Sequence, residues 1–285
     1  THLVTDLLTF GDHYTSELVL GPENALFFGV GVATNSGVVG MDNFLGGWLP
    51  QHPEGHDVPA RDIVLRGANY PDLNWLAPDP RREQVSTGTF KPFGTPAQPG
   101  ERVKGQKIAS GVLYSVSLDG SGLELVADGL RNVFGLGFSP DGRLLAINHG
   151  FDGRGSRPVA NDWDTVWEIR QGGWYGWPDF ASGLPITDPR FRPPGKPQPQ
   201  FILGEHPPLA GQPLLRLPPH SASMKFDFAP EEFGHGGQMF IAQWGAGIPV
   251  TGDPRELRDI PGYRVVRADL AAGQVHDFYR NLKPG

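Results

Sequence analysis

The chain of 285 residues has a formal net charge of −7 at pH 7 and contains no cysteine. The acidic balance and the lack of a basic block argue against nucleic acid as a partner, and the missing cysteine excludes disulfides and thiolate metal sites. No run approaches the roughly 18 apolar residues that would span a membrane, and a hydrophobic content of 38% with 40 glycines and 29 prolines predicts a folded, turn-rich chain.

The first elements in chain order are short apolar segments with the length of β-strands. We predict a lone strand at 2–8, followed by strands at 15–20 and 25–32, which the turn sequence GPEN separates. Strands at 111–118 and 123–128 come next and are joined by DGSG, a hairpin signal. The four strands after the first therefore predict one antiparallel unit.

The stretch from 129 to 180 predicts a second antiparallel unit. Segments 133–138 and 143–148 have the two-residue period of strands. The sequence SPDG joins them, and its proline presets φ at the first corner while its glycine accepts a positive φ at the last. A third strand is predicted at 164–170, after a polar, glycine-rich loop.

A third unit repeats the pattern near the end of the chain. Its strands are predicted at 223–228, 237–244, 263–269 and 274–279. Because the three units share turn chemistry and strand order, the sequence predicts an all-β fold, a β-propeller of four-stranded antiparallel blades. The alternative is a β-sandwich whose hairpins are alike by chance. No amphipathic helix is predicted.

Two proline-rich excursions interrupt the units, at 41–110 and 183–219. They are either ordered surface loops or the rim of a binding site. Three blades and one strand do not close a ring, because propellers need at least about four blades. Residues 1–285 are therefore expected to be a single propeller domain with blades that the sequence does not reveal or, as we favour, the interior part of a longer propeller.

Several motifs of the chain occur together in one known family. They are GLRN-x-x-GL-x-F-x-PDG at 129–142, the strand end NHG at 148–150, GG-x-YGWP at 172–178, and FIAQWG followed by GYRVV. In combination they resemble the soluble PQQ-dependent sugar dehydrogenases, the glucose, aldose and sorbosone group of six-bladed propellers. The resemblance implies oxidation of an aldose or related sugar with PQQ and Ca²⁺, an unidentified electron acceptor, and a periplasmic or secreted location. The first residues show no signal-peptide features, so any such peptide is expected to have been removed.

His13 matches the histidine that acts in this family as the general base on the sugar hydroxyl. A histidine near its neutral pKa can take such a proton while hydride leaves the same carbon. From the residue alone, a loop histidine without a catalytic role is the more ordinary explanation. The glucose branch orients its base with an acid after the strand-end glycine, whereas here Val32 follows Gly31, and Asp12 is the candidate substitute.

The resemblance also implies a set of cofactor contacts. Arg131 and Asn132 match the pair that contacts the quinone, and the planar fork of arginine suits its carboxylates; the alternative is a turn that closes a blade. His149 is expected beside the cofactor. Trp244 either stacks on the quinone or lies in the core, and no lysine occupies the position of the family's polar contact there. His220 begins an inner strand and is expected to face the same site.

The implied calcium ligands follow the strand end at Asn148. Gly150, Phe151 and Asp152 align with the stretch whose backbone carbonyls hold Ca²⁺ in the family, and oxygen ligands suit this hard ion. The glucose branch has proline at the position of Phe151. Asp152, together with Asp162 and Asp164, is either a further oxygen ligand or part of a solvated acidic loop.

Two other functions remain open at this level. A calcium-dependent sugar lactonase on a related propeller would need side-chain carboxylates around an open metal site, and the sequence shows no obvious cage of this kind. A non-catalytic propeller would bind carbohydrate or another protein through its rim loops, and the missing lysine keeps this alternative open. Hydrolysis by a serine triad has no nucleophile-elbow sequence to support it.

Overall fold

The computed structural model describes residues 2–246 and 261–282, and its regular structure is almost entirely β. Three antiparallel sheets carry the fold. Sheet A consists of Thr15–Leu20, Ala25–Val30, Val112–Ser117 and Glu124–Asp128, with Gly173–Trp174 parallel at its edge. Sheet B consists of Val133–Phe138, Leu144–Asn148, Asp164–Glu168 and Leu215–Leu217. Sheet C consists of Ser223–Phe228, Met239–Gln243, Arg264–Asp269 and Gln274–Tyr279.

The three sheets are arranged around a shared axis, and their first strands lie next to one another. In each sheet the four main strands follow one another in chain order, and Val133–Phe138 contacts both Thr15–Leu20 and Ser223–Phe228. Four-stranded meanders arranged in this way are propeller blades. The prediction of an all-β fold of propeller blades is therefore confirmed, and a sandwich of two sheets is excluded.

Glycines on the first strands allow this close approach. A Cβ atom on Gly135 would lie 2.5 Å from the carbonyl oxygen of Met224 in sheet C, and one on Gly137 would lie 3.1 Å from the ring of Phe226. Side chains at these two positions would push sheets B and C apart. The apolar motif at the start of sheet B thus fixes blade spacing as well as strand formation.

Alternation along the strands builds two cores. In Leu144–Asn148, Ala146 packs between sheets A and B, whereas the next residue, Ile147, packs between sheets B and C. The first core also contains Leu113, Leu130, Leu136, Trp167 and Tyr175. The second also contains Val166, Leu217, Met239, Ile241 and Val266. The two-residue period predicted from the sequence is what allows sheet B to serve both cores.

The predicted strand at 2–8 is wrong, because the described residues of that segment form no strand. The apolar residues Val4, Leu7 and Leu8 pack against sheet A, beside Phe28 and Tyr114, without forming regular structure. The apolar pattern of the segment therefore reflects this packing and not a strand.

The two excursions wrap the ends of the blades and contain short elements of their own. One of these, the helix Met41–Leu45, was not predicted. The short strands are Ile63–Val64, Asn69–Leu73, Gln84–Gly88, Arg102–Val103, Phe180–Ala181 and Leu184–Pro185. Within the described residues the 3-10 turns are Pro22–Asn24, Pro80–Arg82, Pro189–Phe191 and Glu231–Phe233. A buried cluster that includes Val32, Leu65, Phe90, Phe191 and Ile202 joins the two excursions to each other and to the segment that follows the second strand of sheet A. In the described part of the chain no helix has the length and apolarity to cross a membrane.

Candidate functional site

A pocket of about 310 Å³ lies where the first strands of the three blades begin, and its size is within the range of small-molecule sites. Seven of the eight predicted site residues line it: His13, Arg131, Asn132, His149, Gly150, Phe151 and Asp152. The remaining lining residues are Arg154, Asp164, His220, Ala222, Gly245 and Ala246. Residues far apart in the sequence thus converge because each blade contributes the same end of its strands.

The His13 ring is fixed by the backbone just after the second strand of sheet A. Its Nδ1 lies 2.9 Å from the carbonyl oxygen of Val32. A carbonyl can only accept, so Nδ1 carries the proton and Nε2 keeps its lone pair. Gly31 makes room for this arrangement, since a Cβ there would lie 2.4 Å from the Cβ of His13. The backbone therefore does the orienting that an acid does in the glucose branch.

Burial and the neighbouring cations keep the His13 ring neutral. Burial lowers the pKa of His13 most, the Arg131 guanidinium adds to the effect, and Asp12 offsets only part of it, which leaves a pKa of about 3. Asp12 does not bond the ring: its carboxylate accepts hydrogen bonds from Asn43 at 3.0 Å, Trp48 at 2.9 Å and Arg154 at 2.6 Å. Asp12, which was expected to orient His13, therefore acts on it only through its charge.

Arg131 is 3% exposed and is held by two partners. Its Nε donates to the carbonyl oxygen of Asn35 at 3.1 Å, and its Nη2 donates to Asn35 Oδ1 and to Asp152 Oδ2, both at 2.8 Å. Its Nη1 has no hydrogen-bond partner among the described residues. Arg131 also lines the pocket, where its positive charge favours an anionic ligand.

Arg154 is a second cation of the pocket that the sequence analysis did not identify. Its Nη1 donates to Asp12 at 2.6 Å and to Asp42 at 2.7 Å, and its Nε donates to Asp152 at 3.1 Å. Its Nη2 has no partner among the described residues. The only sequence signal was its position between two glycines, in a loop beside the predicted calcium ligands.

Asp152 is part of this charged network. Burial alone would raise the pKa of Asp152, but Arg131, His220 and Arg154 together hold it well below its usual range. Its backbone carbonyl accepts hydrogen bonds from Asn35 at 2.8 Å and from Val159 at 3.1 Å. Both kinds of oxygen are thus already engaged, and the carboxylate is placed to hold the two arginines.

Asn35 connects these groups, and the sequence analysis missed it. Its Oδ1 accepts from Arg131 and from the backbone N–H of Asp152, and its Nδ2 donates to the carbonyl oxygens of Asp152 and Arg154. It is 1% exposed and lies in the run ATNSG, directly after the second strand of sheet A. In the sequence, an asparagine in a run of small polar residues gives little indication of a site role. The role of Asn35 becomes visible only through its distant hydrogen-bond partners.

His149 bridges sheets B and C. Its Nε2 lies 2.7 Å from the carbonyl oxygen of Ser223, so that nitrogen carries the proton and Nδ1 accepts from Asn132 Nδ2 at 3.2 Å. The ring stacks on Phe134 with centroids 5.2 Å apart. Both nitrogens are engaged with protein groups, so His149 can offer a ligand its ring but no free lone pair.

The strand end after Asn148 supplies backbone oxygens to the pocket. The carbonyl oxygens of Gly150 and Phe151 accept no hydrogen bond from the described residues, although both residues line the pocket. The two backbone N–H groups donate instead to Asp164 at 3.1 Å and to Asp162 at 2.9 Å. These two aspartates are buried, so they are not a solvated loop; they hold the strand end in place.

Trp244 does not line the pocket, although its backbone N–H donates to the carbonyl oxygen of the lining residue Ala222 at 3.1 Å. Its side chain is 51% exposed and contacts Tyr263, with ring centroids 5.6 Å apart. It is therefore not a core residue. His220 does face the pocket, as expected, with Nδ1 at 3.5 Å from Asp152 Oδ1.

No family model matches the sequence, and no curated protein matches it. Among solved structures, the chain is similar to the calcium structure of a Trichoderma reesei carbohydrate-active enzyme of family AA12, with a TM-score of 0.48 and 17% identity over 94% of this chain and 56% of that chain. It is also similar to the holo PQQ domain of pyranose dehydrogenase from Coprinopsis cinerea, with a TM-score of 0.45 and 15% identity over 90% and 52% of the two chains.

A third solved structure is the PQQ-bound aldose sugar dehydrogenase from Streptomyces coelicolor, with a TM-score of 0.37 and 16% identity over 96% of this chain and 84% of that chain. Sugar dehydrogenases of the kind that the motifs resemble are thus among the structures to which the chain is similar. The chain spans about half the length of the Trichoderma and Coprinopsis structures. Likenesses of this degree carry no statement about activity, which depends on the pocket itself.

Proposed function

We propose that the pocket binds PQQ and Ca²⁺ and that the protein oxidises an aldose or related sugar, as a periplasmic or secreted enzyme. The observation that carries the proposal is the meeting in one pocket of an unprotonated His13 Nε2 with two guanidinium groups, those of Arg131 and Arg154. A base beside anion-binding groups is the combination that such an oxidation requires.

His13 is the proposed general base. Its Nε2 accepts the proton of the sugar hydroxyl, while its Nδ1–H remains bonded to the Val32 carbonyl, which fixes the ring during the transfer. The nearby Asp12 carboxylate stabilises the imidazolium that forms. Because Arg131 and Arg154 disfavour that imidazolium, a bound anion that neutralises them makes His13 a stronger base.

The residues of the pocket fit the two cofactors in different ways. Arg131 Nη1 and Arg154 Nη2 are proposed to donate to the carboxylates of the quinone. Arg154 would replace the lysine that is missing from the contact position near Trp244. The carbonyl oxygens of Gly150 and Phe151 would hold Ca²⁺, which needs about 6–8 oxygen ligands and so takes the rest from the bound molecules. When bound, the quinone supplies the hydride acceptor.

The role proposed for Asp152 differs from the calcium ligand that the family resemblance implies. Its carboxylate pairs with Arg131 and Arg154, so it positions the two cations instead of binding Ca²⁺. Of the other functions, the sugar lactonase has the weaker basis, since no group of three or more metal-binding side chains was found in the described residues.

Reconstitution tests the proposal. The protein is incubated with PQQ and CaCl₂, and reduction of an artificial electron-accepting dye is followed with a panel of aldoses. We expect sugar-dependent dye reduction that needs both additions. Arg131→Ala is expected to weaken quinone binding, measured by quenching of tryptophan fluorescence. Quinone binding without oxidation of any sugar would favour a non-catalytic propeller, and lack of quinone binding would contradict the proposal.

A further inference from the structure

A second and larger cavity, of about 550 Å³, adjoins the candidate site. We call it the outer cleft. Its walls come from the two excursions and from the loop that follows the calcium-ligand stretch, and they include Met41, Tyr70, Ser156, Lys196, Gln198 and Pro199. None of the motifs in the sequence accounts for it.

One loop separates the outer cleft from the pocket. Asp152 and Arg154 of this loop line the pocket, whereas the next residues, Gly155 and Ser156, line the outer cleft. The helix that begins at Met41 packs against the same loop, since a Cβ on Gly155 would lie 2.7 Å from the Asp42 carboxylate. The two cavities therefore lie on either side of one short loop.

The walls of the outer cleft combine apolar surfaces with polar side chains. Tyr70 lies on a short strand of the first excursion, and the segment KPQPQ at 196–200 faces it from the second. The two prolines of that segment have fixed φ and no N–H group. Flat apolar surfaces of this kind suit the C–H faces of pyranose rings, while the neighbouring amide and hydroxyl groups suit their hydroxyls.

The charged groups around the outer cleft are mostly satisfied within the protein. Arg157 pairs with Asp179 at 2.8 Å and donates to the carbonyl oxygen of Gln200 at 2.7 Å, which ties the segment in place. Asp72 accepts hydrogen bonds from Met41, Leu73 and Trp75. Arg157 and Asp72 are therefore engaged within the protein, and a ligand rich in hydroxyl groups can still form hydrogen bonds with the neighbouring polar side chains.

The polar groups left over are those that recognise hydroxyls. Gln198 Nε2 donates to the carbonyl oxygens of Ile186 at 2.9 Å and Asp188 at 3.0 Å, which fixes the side chain and leaves its Oε1 as an acceptor. Lys196 is exposed and has no ion pair with the described residues. Because the amide is already held in place, little conformational entropy is lost when a ligand binds it.

We propose that the outer cleft binds neutral glycosyl units of an oligosaccharide whose terminal sugar occupies the pocket. The proposal rests on the function proposed above and specifies its substrate class, an oligosaccharide in preference to a free monosaccharide. The aromatic ring of Tyr70 supplies the main stacking surface, and Gln198 and Lys196 supply hydrogen bonds at its edge.

Binding and turnover are measured separately. Calorimetry compares cellotetraose, maltotetraose and xylotetraose with glucose and xylose on the reconstituted protein, and dye reduction gives kcat/KM for the same sugars. We expect at least one tetrasaccharide to bind about tenfold or more tightly than its monosaccharide. Tyr70→Ala should remove most of that difference and leave the monosaccharide unaffected, whereas Tyr279→Ala, an exposed tyrosine on sheet C, should change neither.

If Tyr70→Ala does not fold, the double variant Met41→Ala, Lys196→Ala replaces it, because both side chains are exposed. Equal affinity for tetrasaccharides and monosaccharides, or unchanged affinity in the cleft variants, would overturn the inference while leaving sugar oxidation intact. Tight tetrasaccharide binding without oxidation of any sugar would instead contradict the proposed function and support the cleft.

Discussion

His13 and Arg131 are neighbours with opposed requirements. A guanidinium that binds an anionic ligand must stay charged, and its charge makes the imidazolium of His13 unfavourable. The free protein therefore holds His13 as a neutral ring with a defined tautomer. The Val32 carbonyl fixes which nitrogen is free, and that nitrogen determines what the residue can do.

Replacing His13 tests the proposed base. His13→Ala removes the proton acceptor but leaves Arg131 and Arg154 in place, so turnover should fall by about 10²–10⁴ or more while quinone binding is retained. His276→Ala, which alters an exposed histidine of sheet C, is the control and should keep full activity. Undiminished sugar oxidation in His13→Ala would remove this mechanism.

The charge state of His13 can be observed directly. With a pKa of about 3, its ring should remain neutral at pH 5, where an ordinary histidine is mostly protonated. Nitrogen-15 NMR of labelled histidine should show a protonated Nδ1 and an unprotonated Nε2. Arg154→Gln removes a positive neighbour and should therefore raise the pKa. An imidazolium signal for His13 at pH 5 in the unaltered protein would contradict the assignment.

Local motifs allowed most of the pocket to be predicted, but its network was beyond them. The family resemblance pointed to Arg131, Asn132 and Gly150, and the strand pattern agrees, because the first two residues directly precede a strand and Gly150 lies two residues after one. Asn35 and Arg154 act through partners more than 100 positions away in the chain, such as Asp152 and Asp12. Neither residue has a neighbour in sequence that reveals its role.

At the scale of elements, turn chemistry was the reliable signal. The turn at 139–142 forms as predicted: Ser139 Oγ accepts a hydrogen bond from the backbone N–H of Arg143 at 3.0 Å, and Asp141 accepts one from Arg143 Nε at 2.9 Å. The fourth strand of sheet B, Leu215–Leu217, was missed because it has three residues and lies in a proline-rich excursion. Its pairing with Asp164–Glu168 supplies the strand character that its own sequence lacks.

The spacing between blades gives a prediction about Gly135. A methyl group there meets the Met224 carbonyl at 2.5 Å, and backbone cannot give way as a flexible side chain can. Gly135→Ala should therefore lower the free energy of unfolding by about 1–3 kcal/mol. Gly211→Ala is the matched control, since nothing lies within 4 Å of its added Cβ. Chemical denaturation measures both, and equal stabilities would contradict the close approach of sheets B and C.

At the scale of the whole molecule, Arg154 joins three parts of the chain. Its carboxylate partners are Asp12 before sheet A, Asp42 in the first excursion and Asp152 after the second strand of sheet B. These carboxylates raise the pKa of Arg154 against the opposing effect of burial. Three carboxylates share one cation, and Asp42 is the least well satisfied of them. Its Oδ1 is buried and has no hydrogen-bond partner among the described residues.

Asp42 should make the stability of the whole chain depend on pH. Burial and the neighbouring Asp12 raise the pKa of Asp42 from 3.8 to about 6, although Arg154 opposes them. Between these values the folded carboxyl binds a proton that the unfolded one has released. Its favourable contribution to folding is therefore fully present below about pH 4 and is lost as the pH rises through 6, a change of up to about 3 kcal/mol.

Asp42→Asn removes this titration and leaves the other buried groups to titrate in both proteins. Relative to the unaltered chain, the variant should gain stability as the pH rises from 4 to 8, by up to about 3 kcal/mol. Urea unfolding at pH 4, 6 and 8, followed by tryptophan fluorescence, measures the difference. A difference in unfolding free energy that is constant with pH, or that shifts against the variant at high pH, would show that the pKa of Asp42 is not raised in the folded chain.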